Sequence, residues 1–181
     1  MFGLDIMIFL AILIAGYMAW NIGANDVANA MGTSVGSGAL TFRNAIIAAA
    51  IFEFLGAFFA GDAVTDTVRK GILNFEEADL ETYSTELKYG FIAAMFAAAL
   101  WLTVATKYGL PGSTTHSSVG GILGIGIYVA PDNVDWGVVT KIVMSWVASP
   151  LLGGILAYTT VVIVKKVIMD AENPIERSRI M

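Results

Sequence analysis

WNIGANDVANAMGTSVG, residues 20–36, lies inside an apolar run that otherwise reads as built for lipid, yet it carries three asparagines and an aspartate. As a helix, the stretch sets Asn21, Asn25, Asn29, Thr33 and Ser37 at every fourth position, in one slowly drifting polar stripe. Ala24, Ala28, Gly32 and Gly36 recur at the same spacing and form a small-residue stripe beside it, where another backbone can approach closely. The amides and Asp26 offer oxygen ligands to a cation or hydrogen bonds to a solute; the plainer role for any one asparagine is to bond neighbouring helices together. Asp26 weighs toward function, because an acid at mid-bilayer costs about 2.5–3.5 kcal/mol on insertion scales and usually marks an ion or proton path. Gly23 and Gly32 on either side of Asn25-Asp26 predict a bent or unwound helix. Broken backbone at that depth survives only where it lines a cavity or is buried in protein, so the stretch reads as half of a binding site.

The surrounding chain supports a membrane setting. Its 181 residues are 57% hydrophobic and 14% charged, against about 25% charged in soluble domains, and mean hydropathy is +0.74. The polar residues are too few to cover a soluble globule. Five apolar segments of roughly spanning length fall at about 4–36, 44–61, 89–106, 110–130 and 137–164, with the first and fourth interrupted. The N-terminal MFGLDIMIFLAILIAGYMAW lacks the basic start and cleavage pattern of a secretory signal and is read as a mature span. Zero cysteines exclude disulfides, thiolate metal sites and cysteine nucleophiles. The formal charge of -5 is uneven, with acids gathered in NFEEADLETYSTE and basic residues scattered, which gives no support to a nucleic-acid partner.

The polar connector, residues 62–88, is expected to hold a short surface helix. Placing the N-terminus outside puts Arg43, Lys107, Lys165, Lys166, Arg177 and Arg179 inside, and leaves the connector and PDNVD (131–135) on the extracellular side. Residues 1–168 form the membrane repeat and 169–181 a cytoplasmic tail or linker. Five spans is an odd number, so a second copy joined after the tail would enter from the opposite side, as in an inverted-topology repeat.

A second constellation lies in KYGLPGSTTHSSVGGILGIG, residues 107–126. Pro111 and Gly112 end or turn one element, and Ser113, Thr114 or Thr115 caps the helix that follows. Free N–H groups at a helix start, together with several hydroxyls, suit an oxyanion, although ordinary capping explains such a start equally well. No Walker pattern is present, so a nucleotide is not implied. Gly120 and Gly124 are expected to form a close-packing pair. His116, the sole histidine, is either a proton or substrate contact or a fixed helix-start contact. Glu53 stands alone in the second span, where an ionised carboxylate needs a cation, a proton or a buried donor, unless it is a protonated structural acid.

GANDVANAMGT, then IFEFLGA, then GLPGSTTHSSVGGILG together resemble the inorganic phosphate transporter family known as PiT, which includes sodium-phosphate symporters. The motifs match in order and spacing across nearly the whole chain. Family members carry two such signatures in two inverted halves, and this chain resembles the first half only. The resemblance implies an all-α integral membrane protein of about five segments with broken or re-entrant helices, one half of an inverted-repeat transporter. It also implies a partner, either a second repeat or a second copy of the chain.

By the same resemblance, the signature aspartate falls on Asp26 and the signature asparagines on Asn25 and Asn29, giving a sodium site. The intramembrane coupling carboxylate falls on Glu53. The phosphate element falls on Ser113, Thr114 and Thr115, flanked by Gly112 and His116. The function implied is secondary active transport of inorganic phosphate, coupled to sodium by alternating access, in the plasma membrane of a prokaryotic cell. Proton-coupled symport and a non-transporting half-size subunit of a transport or sensing assembly are the alternatives. An intramembrane hydrolase using Ser113 or Ser117 with His116 is disfavoured, since no nucleophile elbow is present and adjacent residues on a helix point apart. The chain is therefore expected not to be an enzyme and to need no organic cofactor.

Overall fold

The computed structural model of the chain describes residues 2–75 and 77–170. The protein is all-α: α1 (Phe2–Gly36), α2 (Phe42–Lys70), α3 (Glu77–Lys107), α4 (Thr114–Val129) and α5 (Trp136–Val164), the last continued by a π-helical turn, Lys165–Met169. Among the described residues four helices are long and apolar enough to cross a membrane: Ile6–Gly36, Phe42–Asp62, Thr82–Lys107 and Trp136–Met169. The fourth apolar segment forms the 16-residue α4, about 24 Å long and too short to cross alone. Residues 171–181, with Arg177 and Arg179, lie outside the described residues, as does Glu76 of the connector.

The chain divides into two compact units, one ending at Asp135 and one beginning at Trp136. In the first, α1 and α3 pack in parallel through Met18, Ala98, Ala99 and Leu102, with Tyr17, Ile22 and Met95 at the margin. Small residues dominate the contact surface of α3, where Ala94, Ala98, Ala99 and Ala105 are buried. That is how helices attract in lipid, by close backbone approach rather than by hydrophobic exclusion from water. α4 folds back along α3. A methyl group on Gly121 would lie 3.1 Å from the carbonyl oxygen and Cβ of Ala94, Gly90 leaves room for Ile125, and Gly126 leaves room for Leu73. Gly120 and Gly124 face open space, so the expected pair is not the one used. The helix presents its neighbouring face, one residue around, to α3.

Two further expectations are corrected. α1 is continuous from Phe2 to Gly36, with no break near Gly23 or Gly32. A helical glycine costs only about 1 kcal/mol, whereas an unsatisfied backbone group in lipid costs several, and the stretch has no proline to force a break. The connector holds no separate surface helix: its flanks extend α2 to Lys70 and start α3 at Glu77. The intervening turn pairs with the loop after α4, through Asn74 N–H to Asn133 O (2.8 Å), Asp135 N–H to Ile72 O (3.0 Å) and the Asn133 amide to Asn74 O (2.9 Å). Ile72 and Leu73 are buried there, so both loops share one end of the unit.

The interruption expected in the fourth segment is present. α3 stops in a Schellman turn, with Leu110 N–H on Ala105 O (2.8 Å), Gly109 N–H on Thr106 O (3.1 Å), and Gly109 at φ +66°. Pro111 and Gly112 then lead to Ser113, the N-cap of α4, in extended conformation. α2 contrasts with this packed region. Ala45 and Ala49 are buried, but every residue from 50 to 60 is exposed. The small-residue stripe of α1 lines a groove of about 520 Å³ with Phe42, Ala45 and Ile46.

Candidate functional site

Of the polar stripe, Asn21 and Asn25 face α3 and Asn29 bonds to Asn25, while Thr33 is exposed and Ser37 lies beyond the end of α1. Asn21 and Asn25 are 3% and 4% exposed, the only buried polar side chains among the described residues. Each is bonded across the interface. The Thr103 hydroxyl donates to Asn21 Oδ1 (2.8 Å), while Asn21 Nδ2 donates to Tyr17 O (2.9 Å). The Tyr17 hydroxyl meets the Thr103 oxygen. Because the single Thr103 proton is directed to Asn21 or to Ala99 O (3.1 Å), Tyr17 is the donor in that contact. One turn further, Asn25 Nδ2 donates to Thr106 Oγ1 (3.1 Å), with Leu110 O more distant at 3.4 Å. Asn25 Oδ1 accepts from Asn29 Nδ2 at 3.1 Å.

Asp26, next in sequence, points some 100° further around the helix, toward α4. The Thr114 hydroxyl lies 2.8 Å from both Asp26 carboxylate oxygens, linking side chains 88 positions apart. One hydroxyl proton is shared across the pair, so most of the carboxylate's acceptor capacity remains. Thr114 is the first residue of α4, so the carboxylate also sits at the positive end of that helix dipole.

The α4 start is organised by Ser113, whose Oγ accepts from His116 N–H (3.3 Å) and whose carbonyl accepts from the Ser117 N–H (3.1 Å) and hydroxyl (2.9 Å). The N–H groups of Thr114 and Thr115 have no intrahelical acceptor by position. They are available to an anion. Gly112 packs its Cα side toward Leu102, Ala105 and Asn25 Oδ1, so it offers only its backbone to a ligand. Thr115 is exposed, and His116 lines a separate cavity of about 380 Å³ with Trp101 and Ser117.

Besides His116 in its own cavity, the sequence-predicted residues fall into three groups. Asn25 and Asn29 line a cavity of about 320 Å³ with Thr106, Gly109, Leu110 and Pro111. Asp26 joins Thr114 beside Ser113 and Thr115. Glu53 is brought to neither: it is exposed on the unburied stretch of α2 and has no hydrogen-bond partner among the described residues. Tyr17, Thr103 and Thr106 complete the network and were missed by sequence reasoning. Their signal was two threonines three positions apart in the apolar WLTVATKY, which places both hydroxyls on one helix face.

The phosphate transporter family model matches residues 22–181. Over 178 residues the chain is 46% identical to a protein of Thermococcus kodakarensis named as a phosphate permease, covering 98% of this chain and 43% of that one. It is 45% identical over 170 residues to a chloroplastic inorganic phosphate transporter of Arabidopsis thaliana, covering 92% of this chain and 28% of that one. A solved structure described as the sodium-dependent phosphate transporter superposes with a TM-score of 0.84 at 40% identity, covering 95% of this chain and 42% of that chain. The chain spans less than half the length of each of these relatives. With a match over most of its length and the signature elements of α1 and α4 in contact, the chain belongs to the phosphate transporter family.

Proposed function

We propose that the chain is one repeat of a secondary active transporter that moves inorganic phosphate together with sodium by alternating access. The observation that carries this is the Asp26–Thr114 contact. An anion site formed by the N–H groups and hydroxyls of residues 112–116 has a carboxylate in its doorway. Phosphate and Asp26 compete for the same positive helix end, so phosphate enters only when the carboxylate is neutralised or drawn away. A cation at Asp26, assisted by Asn25, Asn29 and nearby carbonyls, does this. Ion and substrate then raise each other's affinity, since coupling between two sites is reciprocal. The sodium-dependent relative supports sodium as the co-substrate.

The second repeat, in inverted orientation, completes the site and supplies the surroundings of Glu53, which acts as the coupling carboxylate. In this reading residues 62–88 lie outside a prokaryotic plasma membrane and the tail inside. Asp26→Asn removes the charge at nearly constant shape and is expected to abolish sodium-driven phosphate uptake while the protein still folds. Wild-type uptake in that variant would overturn the assignment.

A further inference from the structure

We propose that Thr106 is a positioning residue: its hydroxyl, acting through Asn25, sets the rotation of α1 that presents the Asp26 carboxylate to Thr114. Two rungs tie α1 to α3, Asn21 to Thr103 and Asn25 to Thr106, and they are not equivalent. At the first rung every polar atom of Asn21 has a short partner, at 2.8 and 2.9 Å. At the second, Thr106 is the nearest acceptor of the Asn25 amide, and the alternative, Leu110 O at 3.4 Å, is beyond the usual range for a good bond. Asn25 is 4% exposed, which leaves its amide few substitutes for the Thr106 oxygen. It is also the immediate neighbour of Asp26, so whatever fixes its side chain against the end of α3 fixes the azimuth of the next Cα–Cβ bond. Asn29 has its own amide on Asn25 Oδ1 and follows the same anchor.

Removing the Thr106 hydroxyl leaves α1 held at the Asn21 rung and holds the turn that carries Asp26 less tightly against the end of α3. The link to ion affinity rests on the proposed transport function; the positioning itself does not. The chain has no native cysteine, so a double variant, Asp26→Cys with Thr114→Cys, reports their proximity through the rate of capture by a short bifunctional thiol cross-linker in bilayers. Adding Thr106→Val is expected to slow cross-linking about 3- to 10-fold, the range of one ordinary hydrogen bond, and Thr106→Ser to restore it. Thr140→Val, which loses a hydroxyl bonded only to Trp136 O of its own helix, is the control. An unchanged rate in Thr106→Val, or failure of serine to restore it, would overturn the proposal.

With Asp26 and Thr114 intact, sodium-driven uptake by the reconstituted transporter should show the sodium half-saturation raised by a similar factor in Thr106→Val, with the maximal rate at saturating sodium held within about twofold. A fall in maximal rate alone would mark a merely structural role and overturn the link to ion affinity. If the unaltered protein takes up no phosphate, the transport reading fails, and the cross-linking result alone decides the positioning.

Discussion

Asp26 and Glu53 are both lone carboxylates in apolar helices, and the structure treats them in opposite ways. Asp26 lies in a seam where α1, α3 and α4 exchange hydrogen bonds, with the Thr114 hydroxyl on both of its oxygens. Glu53 lies on a stretch of α2 that buries nothing among the described residues. A carboxylate facing hydrocarbon would carry the full cost of burial without a partner. The difference teaches that the seam is bonded within this chain, whereas the α2 face around Glu53 finds no neighbour in it among the described residues.

Substitutions in the seam should therefore act within this chain, and those on the α2 face only in the assembled transporter. The largest effect is expected at Thr114→Val, which removes a hydrogen bond to a charged group and one hydroxyl of the proposed anion site: phosphate uptake by the chain together with a second repeat should fall about 10- to 150-fold. Uptake near the unaltered rate would show that the contact is incidental. Next is Gly121→Val, whose Cβ would press on Ala94 at 3.1 Å. Overpacking of this kind costs about 1–3 kcal/mol, to be read from unfolding of the solubilised chain by denaturing detergent.

Thr103→Val leaves Asn21 Oδ1 buried without its donor and should cost about 1–2 kcal/mol in the same assay. The smallest effect is Glu53→Gln: the side chain has no hydrogen-bond partner among the described residues and keeps its surroundings when the chain unfolds in detergent, so stability should shift by less than about 0.5 kcal/mol. In the assembled transporter the same change should impair coupled uptake. A large destabilisation of the lone chain by Glu53→Gln would break the contrast between the two carboxylates.

The candidate site residues were conspicuous because lipid makes polarity stand out: an aspartate, a glutamate and an asparagine stripe are rare where apolar residues are the rule. The α3–α4 interruption was legible as well, since Pro111 and Gly112 turn the chain and the hydroxyl run of 113–115 offers a cap, which Ser113 supplies. What could not be read was which side of each helix finds a neighbour. Gly121 rather than Gly120 meets α3, and the glycines of α1 leave the helix intact because its asparagine amides bond α3 or one another, or reach back to a carbonyl a turn earlier, without opening the backbone. Thr103 and Thr106 passed unnoticed because threonine in an apolar helix commonly satisfies itself on its own backbone; Thr159 and Thr160 do so on Ile155 and Leu156.

The central claim, that this chain is one repeat of a sodium-coupled phosphate transporter, is tested most directly by phosphate uptake into liposomes under an inward sodium gradient, a proton gradient or neither. The chain would be assayed alone and together with a second repeat. Uptake driven by the sodium gradient, appearing only when the second repeat is present, is the result this account predicts. Silence with both repeats present, or uptake that follows the proton gradient and ignores sodium, would contradict it.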